Sequence, residues 1–242
     1  SRLGWPSLSR IIEGLARGIH YLHEQHVVHR DVKPSNTLLD SEMNPKIVDF
    51  DCCFVLNANE NETMDNYIVG TYGYMSPEYC ACGIISVKID VFSFGVTLLQ
   101  TVSTMYVSSD SDSDLPSSIY RNTEVNQAVR KAWSAWEDGR MEGLFDTSLF
   151  DGSDQLMEVK RCTQVGLLCI QDERADRPPM ADVLAMLHGE LEMPTPKKPT
   201  WFKLSGEEES DEEESVEESP ASPSNQCLAS PSVLSDVSLS PR

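Results

Sequence analysis

Apolar residues recur at helical spacing near the start of the chain, between Leu8 and Leu22. Because residues three and four apart share one face of an α-helix, this spacing predicts a helix of about eighteen residues with one buried side. Ser7 or Ser9 is the expected cap, since a serine hydroxyl accepts hydrogen bonds from the first backbone amides of a helix.

The same periodicity predicts three helices in the second half of the chain, and a fourth segment is apolar nearly all round. The apolar segment, Asp90–Val102, is expected to lie at the centre of the core. The others are 122–138, which carries Trp133 and Trp136, 155–172 and 180–191.

Short runs of β-branched and aliphatic residues predict a few strands between the helices. They are Val27–Val28, Thr37–Leu39 and Lys46–Val48, with a turn between the last two. Residues 51–78 show little periodicity, and such long segments in compact domains are usually functional or mobile. The expected fold class is therefore mainly α with a few short strands.

Charge divides the chain into two parts. The formal net charge is −20, which argues against nucleic acid or an anionic membrane surface as a partner. Much of the excess lies in Glu207–Glu218, within a Pro-rich, acidic and Ser-Pro-rich tail over 193–242. This composition buries too little apolar surface to fold, so the tail is expected to be disordered. It is either a solvated linker or a target for phosphorylation.

Seven cysteines are present without a pair of CxxC motifs, which makes a zinc site unexpected. We expect reduced thiols, with Cys162 and Cys169 in the core. No apolar stretch approaches the roughly twenty residues that span a bilayer, so no membrane segment is expected within this sequence.

Three short motifs carry the candidate chemistry. His29–Asn36 reads HRDVKPSN, Asp49–Asp51 reads DFD, and Ser76–Glu78 reads SPE. Their order and spacing resemble a protein kinase, with a catalytic loop over 29–36 and an activation segment over 49–78.

The resemblance implies a role for each polar residue of the loop. Asp31 would accept the proton of the substrate hydroxyl, and Lys33 would place a positive charge against the transferring phosphate. Asn36 and Asp49 would hold Mg²⁺ through oxygen atoms, the ligands that this ion prefers. Lys33, Asn36 and Asp49 would together contact ATP, so ATP and Mg²⁺ are the expected cofactors.

Further residues match structural positions of the family. Arg30 resembles the arginine of kinases that are switched on by activation-loop phosphorylation. Glu78 and Arg177 match an ion pair that joins the end of the activation segment to a late helix, and Asp90 matches the acid that holds the catalytic-loop backbone. Candidate phosphorylation sites are Thr63 and Thr71.

The sequence Lys33-Pro34 resembles serine/threonine kinases. Gly70–Tyr79, which reads GTYGYMSPEY, is similar to plant receptor-like kinases, and Gly166–Gln171 resembles their cysteine-rich and S-domain subgroups. The resemblance implies a location on the cytoplasmic side of the plasma membrane, with the anchor outside this sequence.

The chain also departs from the kinase pattern. No Gly-rich phosphate loop precedes the catalytic loop, and the first lysine is Lys33. We therefore expect residues 1–192 to be a C-terminal lobe with the N-terminal lobe absent, and phosphate transfer by this chain alone to be immeasurably slow. Asp51 replaces the usual glycine, and no Lys or Arg lies between Asp49 and Glu78.

Three functional hypotheses follow. The first is the C-lobe of a serine/threonine kinase that acts on a protein substrate. The second is a pseudokinase-like lobe that docks partners, such as a full-length kinase or the missing N-lobe, without catalysis. The third is a non-functional product of a broken gene.

Overall fold

The computed structural model of this protein describes residues 3–107 and 124–200. The prediction of a disordered tail concerns, beyond Thr200, residues outside these ranges. Within them the chain is mainly helical, as predicted. The helices are α1 (Trp5–Glu24), α2 (Pro77–Cys82), α3 (Val87–Ser103), α4 (Glu124–Glu137), α5 (Met141–Leu144), α6 (Ser153–Cys169) and α7 (Met180–His188).

Helix α1 begins earlier than the sequence pattern indicated. Gly4 occupies the cap position and makes no side-chain hydrogen bond, while a proline lies in the first turn. Proline suits this position because its fixed backbone angle is helical. An amide hydrogen there would have no acceptor within the helix, so its absence from proline removes no hydrogen bond. The predicted Ser7 and Ser9 caps are therefore wrong. The predicted apolar face is buried at Leu8, Ile12 and other positions.

Helix α3 lies at the centre of the core, as its apolar sequence predicted. Twelve of its seventeen residues are buried. Its contact with α6 depends on small residues: a Cβ at Gly95 would lie 2.6 Å from the Cβ of Cys169, and one at Gly166 would lie 2.8 Å from the Leu99 side chain. Because both positions lack a Cβ, the two helix backbones approach closely.

The strands of the described ranges form three antiparallel pairs, with two or three residues in each strand. They are β1 (Val27–Val28) with β4 (Phe54–Val55), β2 (Thr37–Leu39) with β3 (Pro45–Ile47), and β5 (Glu62–Met64) with β6 (Ile84–Ser86). Strands β1 and β2 match the sequence prediction, and β3 is displaced by one residue. The other three were not predicted.

Cys162 and Cys169 lie in the core as predicted, and the six cysteines within the described ranges are free thiols. Burial raises the pKa of each of these two thiols to about 12. Of the helices that the structure describes, none combines the length and apolarity needed to cross a membrane.

Candidate catalytic site

The β2–β3 hairpin brings the ends of two predicted motifs together. Thr37 pairs with Ile47, and one residue beyond this pair the Val48 amide donates to the Asn36 carbonyl at 3.0 Å. Asn36 and Asp49 therefore lie at the same end of the hairpin, although Asp49 follows Asn36 by thirteen positions in sequence.

Three side chains converge on the carboxylate of Asp31. Lys33 Nζ donates to Oδ2 at 2.6 Å, Thr71 Oγ1 donates to Oδ1 at 2.6 Å, and Asn36 Nδ2 donates to Oδ2 at 3.0 Å. Lys33 Nζ also donates to Thr71 Oγ1 at 2.5 Å. The structure thus fixes Asp31 from both sides, by its own loop and by the activation segment.

These contacts decide the charge state of Asp31, which is 6% exposed. Burial is the largest single influence and raises the pKa, but the hydrogen bonds from Lys33, Thr71 and Asn36 and the positive charge of Lys33 together outweigh it, so the pKa of Asp31 lies below its ordinary value of 3.8. Asp31 is therefore an ionised acceptor at neutral pH, as acceptance of a hydroxyl proton requires.

The donor set at Asn36 and Asp49 fits a magnesium ion. Asn36 Nδ2 donates to both the carbonyl and the carboxylate of Asp31, so its amide oxygen is the atom that would contact a metal. Asp49 is exposed, and its backbone is left-handed with φ of 65°. A carboxylate and an amide oxygen are the hard ligands that Mg²⁺ binds, with water and phosphate completing the shell.

Asp51 does not occupy a strained backbone position. It lies in the 3₁₀ turn Phe50–Cys52, and Asp49 is the residue of this motif with positive φ. Asp51 therefore replaces the usual glycine without adopting a positive φ. Its carboxylate is exposed, two residues from that of Asp49.

A buried carboxylate holds the backbone of the catalytic loop. Asp90, which is fully buried on α3, accepts the His29 amide at 2.7 Å and the Arg30 amide at 2.9 Å. His23 Nε2 lies 3.1 Å from the same carboxylate. These bonds stabilise the left-handed backbone of Arg30, which has φ of 67° and would otherwise be unfavourable.

The Arg30 side chain contacts the activation segment and helix α2. Its Nε donates to the Cys52 carbonyl, its Nη1 lies 3.5 Å from the Tyr79 hydroxyl, and its guanidinium lies 3.6 Å from the Asp65 carboxylate. The guanidinium carbon also lies 5.6 Å from the ring centre of Phe54.

Arg177 and Glu78 form the ion pair that the sequence suggested. Two guanidinium nitrogens of Arg177 lie 2.6 and 2.8 Å from the two oxygens of Glu78. The Arg177 side chain is fully buried, and it also donates to the carbonyls of Gln171, Lys88 and Asp172. This network joins the start of α2 to the segment before α7.

The two candidate phosphorylation sites lie in different surroundings. Thr63 is on β5 opposite Ile85. Thr71 is half-buried between Asp31 and Lys33, with its hydroxyl engaged by both. Modification at either position remains a prediction.

Sequence reasoning did not identify three residues of this network, namely His23, Asp65 and Tyr79, and it did not identify the contact of Thr71 with Asp31. His23 had a detectable signal, because it lies four residues after Ile19 on the buried side of α1. The other contacts join residues 35 to 49 positions apart, and no local pattern encodes them.

Comparison with known proteins agrees with this geometry. The protein kinase domain family matches residues 4–187. A G-type lectin S-receptor-like serine/threonine-protein kinase of Arabidopsis thaliana is 42% identical over 211 residues, which cover 86% of this chain and 25% of the relative. Cysteine-rich receptor-like protein kinase 10 of the same plant is 40% identical over 205 residues, or 83% of this chain and 29% of the relative. The chain thus spans less than a third of the length of these relatives.

Proposed function

We propose, since this chain belongs to the protein kinase family, that it carries the catalytic loop of a receptor-like serine/threonine kinase and transfers phosphate from ATP to a protein hydroxyl. The observation that supports this most directly is the ionised Asp31 carboxylate, held by Lys33, Thr71 and Asn36 at 2.6–3.0 Å. Phosphoryl transfer depends on such positioning and charge more than on covalent chemistry.

Each side chain would do one part of the reaction. Asp31 orients the substrate hydroxyl and accepts its proton as the oxygen attacks. Lys33, already 2.6 Å from Asp31, stabilises the negative charge on the phosphate that moves. The Asn36 amide oxygen and the Asp49 carboxylate would hold Mg²⁺, which supplies further charge neutralisation when bound.

Apolar side chains beside these residues indicate where the nucleotide and a covering lobe would bind. Leu38, Leu39 and Phe50 are 55%, 39% and 48% exposed. Large apolar side chains exposed together commonly mark a binding surface. We propose that the adenine base and a nucleotide-binding lobe, from a longer form of this protein or from another kinase, cover them.

The 242-residue chain alone is then expected to be a very poor catalyst. Removal of one donor that stabilises a transition state costs about 3–4 kcal/mol, or two to three decades in rate. A nucleotide-binding lobe supplies several such groups, and residues 1–32 contain no lysine that would replace them.

The test compares this chain with a longer protein in which the same residues follow a nucleotide-binding lobe of a relative. We expect ATP-dependent labelling of a serine/threonine peptide pool by the longer protein, and a fall of about a thousandfold in D31N, since general-base residues contribute two to four decades. D138N is the matched control, because Asp138 is exposed and pairs only locally with Arg140. Equal labelling by D31N and the unchanged protein would refute the assignment.

A second function is favoured by the same exposed apolar residues. Leu38, Leu39 and Phe50 would also suit a lobe that docks another kinase without catalysis. This reading predicts that the 242-residue chain binds a full-length kinase, that D31N binds equally well, and that L38D does not. Binding of this kind without any labelling by the longer protein would replace the enzyme hypothesis.

A further inference from the structure

The positive charge of Arg30 lies in a nearly buried environment. Its side chain is 9% exposed, and its nearest partners, the Cys52 carbonyl, the Tyr79 hydroxyl and the Phe54 ring, are neutral. A buried guanidinium is unfavourable unless a negative charge lies beside it. Among the described residues, Asp65 is the acid whose carboxylate approaches Arg30 within 4.0 Å.

Asp65 is itself held firmly by the strands around it. Its backbone amide donates to the Gly83 carbonyl at 3.0 Å, which extends the β5–β6 pairing by one residue. A Cβ at Gly83 would lie 2.0 Å from the Asp65 carbonyl oxygen, so this contact requires glycine. The carboxylate Oδ1 accepts the Tyr67 amide at 2.9 Å, which leaves Oδ2 toward Arg30.

The segment after Asp65 lies close to the same arginine at two more points. The Val69 amide donates to the Tyr79 hydroxyl at 3.0 Å, beside the Arg30 guanidinium. A Cβ at Gly70 would lie 2.7 Å from the Arg30 carbonyl oxygen. The next residue, Thr71, donates to Asp31. Arg30 thus contacts Asp65 and also lies against Gly70, the residue before Thr71. Through these contacts, the placement of Asp65 affects whether Thr71 reaches the Asp31 carboxylate.

We propose that Asp65 is a positioning residue that holds the activation segment against Arg30, so that Thr71 reaches Asp31 without phosphorylation of the segment. The proposal rests on the proposed function, since it concerns the regulation of the same site. It assigns to a carboxylate of this chain the place that a phosphate would otherwise take beside Arg30.

The charges of the segment favour a carboxylate over a phosphate. Residues 50–77 contain no Lys or Arg, so a phosphate there would find no basic partner within the segment. A phosphate near Arg30 would also approach Asp65, and like charges at close range are unfavourable. The segment therefore already supplies, through Asp65, the negative charge beside Arg30.

The first test measures order rather than activity. The 242-residue chain is treated with a phosphatase, its unphosphorylated state is confirmed by mass, and amide hydrogen exchange is followed in peptides that cover 66–71. We expect protection in the unphosphorylated chain and exchange about five to ten times faster in D65N, with D65E close to the unchanged chain. E62Q is the matched control, because Glu62 pairs with Arg174 instead of Arg30.

Peptides from α3 report whether each variant is folded. If D65N does not fold, the phosphatase comparison on the unchanged chain decides. Protection that persists without phosphate supports the proposal, and protection that appears only after phosphorylation overturns it. Exchange in D65N equal to that of the unchanged chain also overturns it.

An activity test in the longer protein separates this proposal from the function on which it rests. We expect phosphatase treatment to leave kcat unchanged, D65N to lower kcat about tenfold and D65E to restore most of it. A longer protein that is inactive in every variant would refute the proposed function, while the exchange result would still decide the role of Asp65. Loss of activity on phosphatase treatment alone would overturn the positioning role.

Discussion

The buried carboxylate of Asp90 accepts the backbone amide of Arg30 at 2.9 Å, and Arg30 has the left-handed φ of 67° that turns the loop toward Asp31. The central helix therefore sets the geometry of this loop through one side chain, that of Asp90. Because the same carboxylate also accepts the His29 amide, one residue satisfies two donors, one buried and one partly buried.

D90A should destabilise the chain strongly. It leaves the amides of His29 and Arg30 without an acceptor, and buried unpaired donors cost about 1–3 kcal/mol each. We expect the free energy of unfolding in urea to fall by about 3 kcal/mol. D90N, which keeps one acceptor oxygen, should lose less. A change below about 0.5 kcal/mol in D90A would show that the loop does not depend on this carboxylate.

R177K tests the buried ion pair with Glu78. Lysine keeps the charge but cannot reproduce two parallel bonds to Glu78 together with three bonds to backbone carbonyls. We expect a loss of about 3 kcal/mol in urea unfolding, as for other broken buried pairs.

R140K is the control for this change, since Arg140 makes an exposed pair with Asp138 and should unfold like the unchanged chain. Glu78→Gln should destabilise in the same direction as R177K, because it leaves the buried guanidinium without its charge partner. Equal unfolding midpoints for R177K and R140K would contradict the structural role.

The elements that the sequence predicted well are those with long, regular patterns. The apolar run that became α3 was long enough to indicate both a helix and its central place. Strands β4, β5 and β6 contain two or three residues each, which is too short for alternation to be visible. The start of α1 was misplaced because Pro6 and the backbone of Gly4, not a serine side chain, define it.

The contacts of the candidate site also include some that the sequence could predict and some that it could not. The spacing of Asp31, Lys33 and Asn36 within eight residues made their convergence predictable from the motif. The contact of Thr71 with Asp31 spans 40 positions, and the pairing of Asp65 with Arg30 spans 35. These depend on how the activation segment packs, which a single sequence does not encode locally.

G95A should weaken the contact between α3 and α6. An added methyl would lie 2.6 Å from the Cβ of Cys169 and 2.8 Å from Ile170, so the two helices would have to separate. Overpacking of this kind costs about 1–3 kcal/mol, and we expect a loss in that range by urea unfolding.

Gly143 provides the matched control on α5, where a Cβ would meet no atom within 4 Å. Since alanine favours helix over glycine, G143A should leave stability unchanged or raise it slightly. Similar losses of stability in G95A and G143A would show that the loss comes from replacing the backbone freedom of glycine, and not from the packing of α3 against α6.

The titration of Asp31 tests the hydrogen bonds that define the site. Its pKa is lowered although burial opposes this, because Lys33 and Thr71 donate to it. A carboxyl with a lowered folded-state pKa stabilises the fold above its unfolded pKa, and this contribution is lost as pH falls through the folded value. For Asp31 that window lies below pH 3.8, its ordinary value.

We therefore expect the pKa of Asp31, followed by the carboxyl carbon shift in NMR, to rise in T71V and to rise further in K33M, which removes the stronger of the two donors. Asp40 is an internal control, because its pKa is lowered chiefly by hydrogen bonds from Asn44, in which neither substituted residue takes part, and it should not move. The Thr71 contact also predicts coupling to the activation segment: if Asp65 positions Thr71, then D65N should raise the pKa of Asp31 in the same direction as T71V. An Asp31 titration that is the same in T71V and in the unchanged chain would mean that the activation segment does not reach the catalytic carboxylate in solution.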